Sequence, residues 1–135
     1  MSFLLDTNVV SEASRKKPNA KVMAWLQAVA STDLFLSVIT LGEIRKGIEL
    51  RRVVNPDDAA RLEVWLQRLS LGYRSRILAL DEEAADRWGR IMSSHPTVPV
   101  EDGQLAATAL RHGLTLVTRN TRDVAPTGVP HLNPF

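Results

Sequence analysis

The sequence predicts an α/β sandwich with a central, mostly parallel sheet. Two observations lead there. Short apolar runs alternate along the chain with amphipathic stretches of helical period, the order that parallel crossovers require. At least one run, Leu34-Phe35-Leu36-Ser37-Val38, is nearly continuous in apolar character, as in a strand covered on both faces. At 135 residues the chain fits one domain, residues 1–135, and no repeat, low-complexity tract or linker divides it.

The elements follow in order. Phe3-Leu4-Leu5 reads as a short buried strand that delivers Asp6 at its end. Beyond the basic loop Arg15-Lys16-Lys17, Pro18 sits where a helix can begin, and Val22, Trp25, Leu26 and Val29 form its apolar stripe. After the Leu34 strand comes a helix from about Thr40 to Arg52. Asn55-Pro56-Asp57-Asp58 opens the next, with the stripe Leu62, Trp65, Leu66 and Leu69. Ile77 to Leu80 is the third strand, and Asp81 caps a helix bearing Ala85, Trp88 and Met92. A helix from about Val100 to His112 ends at Gly113. Leu114 to Thr118 is the clearest strand, and Val129 to Phe135 reads as a Pro-punctuated tail.

Composition removes several classes of function. With 44% hydrophobic and 24% charged residues the chain is not disordered. It has no Cys, which excludes disulfides, thiolate metal sites and a Cys nucleophile. The opening apolar run stops at Asp6, too short for a signal core, and no stretch reaches the roughly 18 residues of a spanning helix. The expected location is cytoplasmic. Net charge is only +2, yet residues 1–80 hold 12 Lys/Arg against 8 Asp/Glu, while residues 81–135 hold 5 against 7. A basic first half suits a polyanionic partner, or simply solvated helix faces.

Four carboxylates stand at strand ends or helix starts, the side of a parallel sheet where ligands collect. Asp6 ends an apolar strand, where an acid either caps the next turn or needs a partner. Glu43 fits a capping box in Thr40-Leu41-Gly42-Glu43. One turn on, Gly47 costs about 1 kcal/mol relative to Ala inside a helix, so substrate or packed backbone is expected close to that face. Asp102 shares a helix face with Leu105, Ala106 and Ala109, whereas Glu101 lies about 100° round and is the solvated acid. The plainer reading of Asp102 is an acid favoured near a helix N-terminus. Asp123 follows Thr118 by five residues, in a loop that can approach Asp6. Clustered acids raise one another's pKa unless a cation neutralises them, and an all-oxygen set suits Mg²⁺ or Mn²⁺. Metal-dependent phosphodiester hydrolysis is the leading chemical reading.

In order and spacing, Leu4-Leu5-Asp6-Thr7-Asn8-Val9-Val10-Ser11-Glu12, Thr40-Leu41-Gly42-Glu43-Ile44, Asp102 to Ala109 and Leu116 to Asp123 resemble the PIN-domain nucleases. The length and the ending Gly128 to Phe135 are similar to VapC-type toxins, the ribonuclease halves of toxin–antitoxin pairs. The resemblance covers essentially the whole chain. It implies a PIN-like α/β/α sandwich, with Asp6, Glu43 and Asp102 as core acids, Asp123 as the fourth, and Mg²⁺ or Mn²⁺ among them. It implies that Asn8 and Thr118 orient ligands or water and that Asn120 supports them. It also implies an RNA substrate, a homodimer, and inhibition by a VapB-type antitoxin. The chain departs from the family pattern at Val124, where an aromatic is common, and at Glu101, an extra acid beside Asp102.

Among the basic residues, Lys46 is the first choice for steering RNA phosphates, because it lies near Glu43 on the helix surface. The three His residues show no metal-ligand spacing, and the Trp25 and Trp65 stripes suit core or dimer surface better than base stacking. Two other readings compete with an endoribonuclease toxin. One is an aspartate-based phosphatase with Asp6 as nucleophile, for which the expected second acid is missing because position 8 is Asn. The other is a catalytically silent PIN-like binding module.

Overall fold

A computed structural model describes all of residues 1–135. The chain runs β1 (Phe3–Leu5), α1 (Thr7–Val10), α2 (Ala20–Ala28), β2 (Leu34–Ser37), α3 (Val38–Val54), α4 (Pro56–Gly72) and β3 (Ile77–Leu78). It continues through α5 (Glu82–Ser94), α6 (Val100–His112), β4 (Thr115–Val117), α7 (Thr121–Val124) and β5 (His131–Leu132). The five strands form one sheet in the order β3-β2-β1-β4-β5, and every pairing is parallel.

Alternation along the strands builds two cores from one sheet. Leu5, Leu36 and Val117 face Val9, Val22, Ile44, Ile48 and Leu66 on the side of α1 to α4. Leu4 and Leu116 face Leu105, Ala106 and Ala109 of α6 on the other side. The result is the expected α/β/α sandwich. The α3–α4 hairpin packs as a unit on the first face, and α5 covers α6 on the second. No helix is long and apolar enough to cross a membrane.

Several boundaries differ from expectation for identifiable reasons. Asn19, one residue past Pro18, caps α2 by accepting from Lys21 N and Val22 N. The helix expected at Thr40 begins at Val38, because the last residue of β2, Ser37, is its cap and accepts from Ile39 N at 3.0 Å. Strand and helix therefore join without a loop, and Glu43 is too far inside α3 for a capping box. The tail is partly a strand: His131 and Leu132 pair with Leu116 and Val117 at the sheet edge. Asp123 sits in the short helix α7 instead of a loop. Gly113, with φ of 65°, closes α6 in the left-handed conformation expected of it.

Candidate active site

The chain leaves β1 toward β2 and β3 on one side, then returns to β4 and β5 on the other. The reversal lies between β1 and β4, the position beyond whose carboxyl ends ligands of such sheets bind. Asp6 follows β1 directly and its N–H bonds Val117 O of β4 at 2.9 Å. Thr118 follows β4. Both are buried, with Asp6 5% exposed and Thr118 fully enclosed.

Asp6 has a defined set of donors. Thr118 Oγ1 donates to Asp6 Oδ2 at 2.7 Å, and the Asn8 amide approaches the same oxygen at 3.4 Å. Thr7 N donates to Asp6 Oδ1 at 2.6 Å, so Asp6 also caps α1. The outer ring is backbone: Asn120 N donates to Thr118 Oγ1 at 2.9 Å, and Arg119 N to Asn8 Oδ1 at 3.2 Å. Asn8, Thr118 and Asn120 thus stand around Asp6, Asn120 through its backbone.

Glu43 comes from α3 and is held by Thr7, which the sequence alone does not mark as functional. Thr7 Oγ1 donates to Glu43 Oε1 at 2.9 Å across a separation of 36 residues. No local pattern signals a bond between positions that distant. Asp102 lies in the first turn of α6, only 8% exposed, while Glu101 beside it is exposed, as helical geometry predicts. Gly103 lets α5 close onto that turn: a Cβ there would stand 2.8 Å from Met92 Sδ and 3.3 Å from Trp88.

The electrostatics tie the acids together. Burial raises the Asp102 carboxyl to about 6, assisted by the charges of Asp6, Asp123, Glu43 and Glu101. Burial also raises Asp6, against the lowering effect of its hydrogen bonds. Glu43 is raised by burial and by Asp6 and Glu101, opposed by the Thr7 hydrogen bond and the nearby Lys46. None of Asp6, Glu43, Asp102 or Asp123 forms an ion pair; every ion pair in the chain uses other acids. As the side chains stand, no three acids or imidazoles converge closely enough to hold an ion by direct contacts alone. The donor set is nonetheless that of a hard divalent cation. Mg²⁺ commonly retains several waters and uses one or two carboxylates.

Comparison with known proteins agrees with this geometry. The PIN domain family model matches residues 3–125. The chain is 38% identical to "Toxin FitB" of Neisseria gonorrhoeae, covering 98% of each chain. It is 33% identical to "VapC ribonuclease Y4jK" of Sinorhizobium fredii, covering 98% of this chain and 97% of that one. Among solved structures, FitAcB from Neisseria gonorrhoeae superposes with a TM-score of 0.89 at 36% identity, over 98% of this chain and 97% of that one. A toxin-antitoxin complex from Klebsiella pneumoniae gives 0.72 at 25% identity, over 99% and 98%. The chain belongs to the PIN-domain family, among its VapC-type toxins.

Proposed function

We propose that the chain is a Mg²⁺- or Mn²⁺-dependent endoribonuclease acting in the cytoplasm, the toxin of a toxin–antitoxin pair, with residues 1–135 working as one domain. The observation that carries this reading is the pair of buried acids, Asp6 and Asp102, with no cationic side chain bonded to either. Burying uncompensated charge is costly, so the arrangement calls for a counter-ion supplied from outside the chain. Asp6 and Asp102 would hold the cation, Glu43 and Asp123 would complete its surroundings directly or through water, and Lys46 would meet the substrate phosphates. When bound, the cation would neutralise phosphate charge and acidify water.

The chain's own residues do the rest. Thr118, Asn8 and the Thr7 N–H fix both oxygens of Asp6, and the Thr7 hydroxyl fixes Glu43. Asn120 locks the Thr118 hydroxyl in turn. Water attacks phosphorus in line, its oxygen bonding phosphorus as the P–O3′ bond breaks, and the proton it gives up ends on the departing 3′ oxygen. The products carry a 5′-phosphate and a 3′-hydroxyl, with no role for the 2′-hydroxyl as nucleophile.

The reading includes a homodimer and a VapB-type antitoxin as partners. It is supported by the family relationship and by apolar side chains left open on α3 and α4, among them Leu50, Val53, Val54 and Leu71. The test is cleavage of total cellular RNA by antitoxin-free protein with Mg²⁺ or Mn²⁺, beside an EDTA control and Asp6→Asn. Discrete cuts lost in both controls and bearing 5′-phosphates are expected. Cuts that persist in EDTA, or products ending in 2′,3′-cyclic phosphate, would contradict the mechanism.

A further inference from the structure

Gly47 poses a question that packing does not answer. It lies in the middle of α3, where Gly weakens a helix. Yet a Cβ placed there would meet no atom within 4 Å, so no packed backbone requires its absence. Gly47 instead lines an open groove of about 390 Å³ between α1 with the turn after it and the α3–α4 hairpin. Glu43, Gly47 and Arg51 follow one another at four-residue steps along the groove, spanning about 12 Å.

The two ends differ in charge. The inner end is Thr7 and Glu43, already part of the acidic site. The outer end carries Arg15, Arg51 and Arg61 against Asp58, with Glu12 pairing Arg15 from behind at 3.1 Å, so one positive charge is left over, and Ser11 and Ser14 stand on the wall. Asp58 accepts from Arg51 Nε and Arg61 Nε at 2.9 and 3.1 Å, and Arg61 Nη1 donates to Ser14 O at 2.8 Å. The guanidinium groups of Arg51 and Arg61 are therefore braced in place before any ligand arrives.

We infer that this groove is the path of a single RNA strand beyond the scissile bond, with the Arg15–Arg51–Arg61 end receiving a backbone phosphate and Gly47 keeping the floor open. The inference rests on the ribonuclease reading above and deepens it. A strand whose scissile phosphate lies among the acids meets cationic donors at the groove's far end. Guanidinium suits phosphate through its forked donors. The volume is that of a small-ligand pocket.

The experiment measures binding of a fluorescein-labelled twelve-nucleotide oligouridylate to the full chain carrying Asp6→Asn, across a salt series. Adding Gly47→Leu is expected to raise Kd at least tenfold while the melting temperature holds or rises, since a Cβ there meets no atom within 4 Å, the side chain beyond it enters an open groove, and helix propensity improves. Adding Arg51→Gln with Arg61→Gln is expected to reduce the slope of log K against log salt by about 0.7 for each phosphate no longer neutralised. Kd and slope unchanged within twofold in both variants would overturn the inference. If the native chain still cuts RNA in a metal-dependent manner, the ribonuclease reading would survive that result. Unchanged RNA affinity combined with weakened capture of an antitoxin protein would give the groove to a peptide, and equally overturn it.

Discussion

Two groups of acids in this molecule are treated in opposite ways. On the α3–α4 hairpin, Glu49, Glu63 and Asp58 are each bonded to two arginines. Arg45 and Arg52 both bridge Glu49 and Glu63, and Arg51 and Arg61 both hold Asp58. The guanidinium hydrogen bonds hold all three carboxyls below their ordinary range. At the mouth of β1 and β4, Asp6 and Asp102 are buried, Asp123 is exposed, and no acid there has such a partner; Asp6, Glu43 and Asp102 are all raised. Arginines are plentiful in this chain, and none is bonded to these acids. Where acids serve the fold they are paired; where they are buried without a cationic partner, the fold bears a cost that their hydrogen bonds offset only in part.

Substitutions can break this contrast at its strong end first. Asp6→Asn or Asp102→Asn should each reduce RNA cleavage by at least about a hundredfold with the circular dichroism spectrum intact, because charge is lost with little change in volume. Thr7→Val, which leaves Glu43 without its donor, should lower activity by about tenfold, the usual scale for a group that orients a ligand. If Thr7→Val matched the native rate, the Thr7–Glu43 bond would be incidental. Lys46→Ala should weaken RNA binding a few-fold and flatten its salt dependence by about 0.7 in slope. The smallest effect belongs to the hairpin. Glu63→Gln should leave cleavage untouched and move the melting temperature by no more than about 2 °C, since exposed ion pairs contribute little.

Much of the site is legible in the sequence because helices and parallel strands carry their geometry in short patterns. Asp102 is separable from Glu101 because one residue turns a helix by about 100°, and the small apolar residues Leu105, Ala106 and Ala109 mark the inner face. Asp6 is legible as the polar end of a buried strand. Other features depend on packing that sequence does not encode locally. Thr40-Leu41-Gly42-Glu43 matches a capping box, yet Ser37 takes the cap because strand and helix are fused. Thr7 finds Glu43 only once α1 and α3 pack together. The two-residue strand β5 has no periodicity to read, and the prolines flanking it are compatible with a sheet edge. For Gly47 the helical position leaves substrate and backbone equally open, and only the folded chain shows that no backbone is near.

Buried, unpaired acids should destabilise the fold until a divalent cation arrives. Melting the native chain and Asp102→Asn at pH 7.5, with EDTA and with Mn²⁺ or Mg²⁺, puts this to the proof. The Asp102 carboxyl titrates near 6 in the folded chain and near 4 when unfolded. Its contribution to stability is therefore fully present below about pH 4 and lost as pH rises through about 6. In EDTA at pH 7.5 the variant should melt higher than the native chain, by about 1–2 kcal/mol after allowance for solvent screening, or roughly 3–8 °C. That advantage should vanish below pH 4, and Mn²⁺ should raise the melting temperature of the native chain but not of the variant. A variant that melts lower than the native chain in EDTA, with neither responding to metal, would show that these acids serve the fold and not a cation.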